Sequence, residues 1–76
     1  MSIKVIFFGQ LKEIAGGALE VEDVHDTHDL QQTLYSRYPV LSSMQYRIVV
    51  DKELINDIVP LHPGVTVALL PPYSGG

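Results

Sequence analysis

The sequence predicts an α+β domain in which one main helix lies across a single mixed sheet of four to five strands. Three observations lead there. The runs at residues 3–8, 46–50 and 65–70 are short, β-branched and aromatic, which is strand composition. One segment alone carries a sustained helical period, with Leu30, Leu34 and Tyr38 recurring every fourth residue. Glycines and prolines fall between these segments and not inside them. A helix and a sheet that each have one apolar side bury those sides against each other.

In order along the chain, residues 3–8 set Ile3, Val5 and Phe7 on one strand face and Lys4, Ile6 and Phe8 on the other. Residues 10–15 read as a short helical turn closed by Gly16 and Gly17, after which residues 18–23 alternate Leu19 and Val21 against Glu20 and Glu22. Thr27 is the expected N-cap of the main helix, with Asp29 in its first turn facing the positive helix end, and Pro39 stops it. Residues 46–50 form a third strand, Asp51 and Lys52 its turn, and residues 53–55 a short return strand before Asn56 and Asp57 break the pattern. Pro63 and Gly64 turn the chain into the apolar run 65–70. Pro71 and Pro72 then remove two N–H donors and end the ladder. The first and last strands are expected to be central, parallel neighbours with the hairpins outside them.

Seventy-six residues leave room for one small domain, so residues 1–70 are read as that domain and residues 71–76 as an extended tail. The chain has no cysteine, which excludes a disulfide framework, a thiolate metal site and any cysteine chemistry carried by the chain itself. A net charge of -4 has the wrong sign for neutralising nucleic-acid phosphates. The apolar run near the N-terminus stops by residue 8, too short for a signal peptide or a membrane span, so a cytoplasmic protein is expected.

The segment PPYSGG carries no apolar period. Its prolines are stiff, its last two residues have no side chains, and six extended residues reach roughly 20 Å. Such a tail can carry a terminal carboxylate into a narrow cleft of another protein while the folded body stays outside. There the carboxylate can attack the α-phosphate of ATP held by a partner, and the bare Gly76 carbonyl stays open to a later attack by sulfur or an amine.

The opening IKVIFFGQLKE, the Thr-capped middle helix, the apolar last strand and the ending ALLPPYSGG together resemble the small sulfur-carrier subunits of molybdopterin synthase over the whole chain. The resemblance implies a ubiquitin-like β-grasp fold and a terminal glycine that cycles between carboxylate, acyl-adenylate and thiocarboxylate. It implies two partners. An E1-like adenylyltransferase activates the glycine with ATP before a sulfur donor loads it, and the large synthase subunit receives the loaded tail to convert precursor Z. The chain would then be non-catalytic alone, with no bound cofactor or metal, and would sit in a heterotetramer. Carried over by residue, Gly76 is the sulfur carrier and Gly75 fits the channel, with Ser74, Tyr73, Pro72 and Pro71 completing the ending. The thiamine-pathway sulfur carriers share the terminal Gly-Gly but not the Pro-Pro-aromatic-Ser run. Two readings from other classes are a ubiquitin-like modifier that becomes amide-linked to lysines and a plain interaction module with an inert tail.

A carrier needs a docking patch beside its tail. With Ile3, Val5, Phe7, Val65, Val67 and Leu69 turned to the helix, Ile6, Phe8, Ala68 and Leu70 lie on the opposite side, Phe8 and Leu70 being the expected anchors. The resemblance adds Lys12 to that surface. His25, Asp26, His28 and Asp29 straddle a helix start and read as a solvated cap, while Tyr35, Tyr38 and Tyr46 read as edges of the core.

Overall fold

Alternation in the first strand decides where the rest of the chain packs. In the computed structural model, which describes residues 2–72, β1 (Ser2–Phe7) buries Ile3, Val5 and Phe7 almost completely and leaves Lys4 in solvent. The chain continues through α1 (Gln10–Ala15), β2 (Ala18–Glu22), α2 (Thr27–Arg37), a 3-10 helix (Pro39–Ser43), β3 (Arg47–Val50), β4 (Glu53–Ile55) and β5 (Thr66–Leu70). The five strands form one sheet in the order β2-β1-β5-β3-β4. β1 and β5 are the expected parallel central pair, with Val5 opposite Val67 and Phe7 opposite Leu69. The other three pairings are antiparallel.

One face of the sheet is closed by the helices. Ile3, Val5, Phe7, Val67 and Leu69 pack with Leu30 and Leu34 of α2, Leu11 of α1 and Leu41 of the 3-10 helix in a single apolar cluster. Each of these side chains is 1% exposed or less, so losing any one leaves a cavity and not a solvated gap.

The N-cap of α2 is Asp26 and not Thr27. The Asp26 carboxylate accepts from the Asp29 N–H at 2.7 Å, and the Asp29 carboxylate accepts in return from the His25 N–H at 3.1 Å. An ionised side chain satisfies the orphan donors at the positive helix end more strongly than a hydroxyl. The Thr27 hydroxyl is used elsewhere. It is buried, and it accepts the Val59 N–H at 3.1 Å while the Thr27 N–H donates to Val59 O at 3.0 Å, which fastens the loop before β5 to the helix start.

Pro39 does end the helix, but a 3-10 turn follows that composition did not announce. The Ser42 and Ser43 hydroxyls donate back to Pro39 O and Val40 O at 2.8 and 2.9 Å and hold the turn closed over Leu41. β3 starts at Arg47 and not at Tyr46. The ladder pairs Arg47 with Leu70, so the next partner of Tyr46 would be Pro71, which has no N–H to give. Asp51 and Lys52 turn β3 into β4 with φ of 51° and 72°, the left-handed pair that a two-residue hairpin loop requires.

Tyr46 instead joins Gln31 and Tyr35 of α2. The two tyrosine hydroxyls share a hydrogen bond, and Gln31 Nε2 donates to the Tyr46 hydroxyl at 2.7 Å. Burial, and then the Tyr35 hydroxyl, push Tyr46 well above the ordinary tyrosine value of 10.0, with Gln31 pulling the other way. A raised phenol value means that the fold favours the neutral form. That contribution is complete below pH 10.0 and is lost as pH rises past it, so the denaturation midpoint is expected to fall in strong alkali. Tyr46→Phe, followed by thermal melts across that range, should flatten the fall.

Candidate functional site

Among the described residues the second face of the sheet carries no helix, and strand register assembles a site on it. Alternation sends Ile6, Ala68 and Val49 to this open side, and the ladder sets Ala18, Ile6, Ala68, Val49 and Leu54 next to one another in turn. The result is an apolar row that crosses all five strands. Leu54 is 51% exposed at one end, while Ile6, Ala68 and Val49 are half-covered by their neighbours. On one side of the row lie Glu20, Lys4 and Thr66, paired across β2, β1 and β5. On the other side are Phe8, which is 44% exposed, and Leu70, which pairs with Arg47. The Phe8 N–H donates to Leu69 O at 3.1 Å, so β1 and β5 stay bonded up to the point where β5 gives way to Pro71.

The root of the tail is therefore placed at the rim of the apolar row. Two contacts define it. Gly9, between β1 and α1, has φ 59° and ψ -135°, a left-handed conformation that side chains avoid. A Cβ on Gly9 would stand 2.7 Å from Cγ of Pro71, so the proline ring occupies the space that any other residue would need. One residue on, Arg47 Nε donates to Pro72 O at 3.2 Å. A shallow groove lies on each side of Pro72, one with Gln45, Arg47 and Asn56 in its wall and the other with Gly9, Gln10 and Met44.

The structure brings together four of the side chains that sequence marked for docking, Ile6, Phe8, Ala68 and Leu70, along with Pro71 and Pro72. Lys12 belongs to α1, and its Cε lies 3.7 Å from the position of a Cβ on Gly17, the residue before Ala18 where β2 begins. Tyr73, Ser74, Gly75 and Gly76 lie outside the described residues. Sequence reading missed Ala18, Val49 and Leu54, and it missed Gly9 and Arg47. The alternation of Val49 against Ile48 and Val50 was there to be read, whereas Arg47 came near Pro72 only through pairing across the sheet.

Gly9→Ala is expected to lower stability by about 1–2 kcal/mol through backbone strain alone, with more lost in moving the Pro71 ring. Denaturant melts of G9A and of G9A combined with Pro71→Ala separate the two costs. The nearest ring atom is absent from alanine, so the double variant should recover the steric part and keep the strain.

Among the described residues no group of three or more His, Asp or Glu side chains is placed to hold a metal ion, and no buried side-chain polar atom lacks a hydrogen-bond partner. No helix among them is long and apolar enough to cross a membrane.

Residues 5–76 match the family model described as the ThiS family. The chain belongs to the ThiS family. A full-length relative of this ThiS chain in Caenorhabditis elegans is 31% identical, covers 100% of this chain and 99% of its own length, and bears the name molybdopterin synthase sulfur carrier subunit. Among solved structures, the fold is similar to one from the complex of subunits 1 and 2 of molybdopterin-converting factor of Helicobacter pylori, with TM-score 0.76, 26% identity and full coverage of both chains. It is similar also to SAMP1 of Haloferax volcanii, with TM-score 0.81, 25% identity and full coverage of both. The β-grasp expectation thus holds for this ThiS chain, with the expected short helical turn formed as α1 and a 3-10 helix added beside the main helix.

Proposed function

We propose that this ThiS-family chain is the sulfur-carrying small subunit of a cytoplasmic molybdopterin synthase, with Gly76 as the residue that is loaded. The observation that carries the reading is the parallel β1–β5 pair, which ends at the rim of an exposed apolar row and hands the chain to two prolines. A body that docks by its sheet face and projects its end past that face is what delivery into another protein's cleft demands. The full-length correspondence with the C. elegans protein and with the H. pylori converting factor points to molybdopterin as the pathway and to the large synthase subunit as the partner.

The chemistry follows from a carboxylate with no catalytic group of its own. On an E1-like adenylyltransferase, a Gly76 carboxylate oxygen attacks the α-phosphorus of ATP and pyrophosphate leaves. Sulfide-level sulfur released by the donor then attacks the acyl carbonyl, AMP leaves, and Gly76 is left as a thiocarboxylate. ATP and the sulfur donor belong to the activating enzyme, and the folded domain supplies recognition. On the large subunit, Ile6, Phe8, Ala68, Leu70 and Lys12 seat the carrier, Pro71, Pro72, Tyr73, Ser74 and Gly75 occupy the channel, and sulfur passes to precursor Z while water supplies the oxygen that regenerates the carboxylate.

Reconstitution tests this reading. The chain, its activating enzyme, ATP, a sulfur donor, the large subunit and precursor Z should together yield molybdopterin, and omission of the chain should stop the reaction. A family of higher-mass conjugates that survives denaturing gels, in place of sulfur transfer, would assign the chain to protein modification.

A further inference from the structure

Pro71 and Pro72 create a difficulty for the fold. A strand is ordinarily held in direction by its own N–H groups, and the two residues that follow β5 have none. The ladder cannot aim the tail beyond Leu70, so whatever fixes its exit must come from side chains or from packing. The packing contact is the Pro71 ring against Gly9, which blocks one direction but leaves the chain free to turn about the next bonds. A polar contact is then supplied from the neighbouring strand. Arg47 stands opposite Leu70 on β3, and its Nε donates to the carbonyl of Pro72 at 3.2 Å. Arg47 is itself held from behind, because Tyr46 before it is tied to Gln31 and Tyr35 of α2.

We infer that Arg47 is a positioning residue for the donor end: its Nε–H to the Pro72 carbonyl, together with Gly9 behind Pro71, clamps Pro71 and Pro72 at the end of the sheet before any partner is met. The inference rests on the proposed carrier function and adds to it a residue outside the tail. A root already held loses less freedom on docking, so the clamp acts on productive association and not on the sulfur step.

Side-chain chemistry allows a test that separates this role from simple attraction of a partner by a positive charge. Counting bonds outward from the backbone, the amide nitrogen of glutamine occupies the position of arginine Nε, whereas lysine has a carbon there and carries its charge and its donors one bond farther out. Arg47→Gln therefore retains a donor at the Nε position and loses the charge, and Arg47→Lys keeps the charge and loses the donor at that position. Two readouts are taken on the full chain: the 13C shift of the Pro72 carbonyl, and the steady-state rate of sulfur transfer against carrier concentration. The clamp predicts that R47Q keeps the native Pro72 shift and kinetics. It predicts that R47K moves the shift and raises the carrier concentration at half-maximal rate roughly threefold to tenfold, the worth of one hydrogen bond, with the maximal rate unchanged.

Retention of function by R47K with loss in R47Q would overturn the inference and make Arg47 a charge read by the partner. Loss in both with an unmoved Pro72 shift would overturn it in favour of direct contact with the partner, and native behaviour of both would leave Arg47 with no role. If the native chain transfers no sulfur at all, the carrier reading fails, while the Pro72 shift still reports whether the clamp exists.

Discussion

Deletion of Gly76 is expected to abolish sulfur transfer while leaving the fold and the grip on the large subunit intact. The shortened chain still ends in a glycine carboxylate, so the group is not lost but displaced. One residue of extended chain is about 3.5 Å, and misplacement of reacting groups by about 1 Å already costs on the order of 100-fold. The rate should therefore fall by at least that factor. β5 ends at Leu70, and among the described residues no member of the buried cluster lies beyond Leu69, so the melting temperature should not move. Adding one bulky residue after Gly76 should have the same effect by covering the carboxyl group. An inert tail predicts that neither change alters anything, and parallel assays of transfer, melting and partner binding decide between the two.

Ala68→Arg should separate docking from loading. Ala68 is in the middle of the open row, with Ile6 on one side and Val49 on the other, and its side chain is on the face away from the core. An arginine there meets solvent in the free domain and costs little stability. In a complex that buries the row, it would be driven into an apolar contact with no partner for its charge, a loss of about 2 kcal/mol or more at the centre of an interface. Affinity for the large subunit should fall by roughly 30-fold or more, with melting unchanged. Titration calorimetry of the variant reads this directly, and native affinity would move the docking surface elsewhere.

Much of the fold is legible because its signals are local. The alternation of Ile3, Val5 and Phe7 against Lys4 and Ile6 identifies both the core and the open face, and the paired prolines after Leu70 mark where the sheet must stop. The cap was misassigned for a physical reason. Asp26 and Thr27 are both good capping residues, and only the position of Val59, more than thirty residues away in sequence, shows that the threonine is already engaged. The site shows the same division. Ile6, Ala68 and Leu70 follow from the period of their own strands. The extension of the row through Val49 to Leu54 needs the register of β3 against β5 and β4. Gly9 looks like any loop glycine until Pro71 is seen against it, and Arg47 like any surface charge until Pro72 is found within its reach.

The most direct measurement is the intact mass of the chain after incubation with its activating enzyme, ATP and a sulfur donor, followed by fragmentation to locate the change. The expected result is a gain equal to the exchange of one oxygen for one sulfur, confined to Gly76 and dependent on ATP. A chain that keeps its original mass with the correct enzyme, or one that gains sulfur at any other residue, would contradict it.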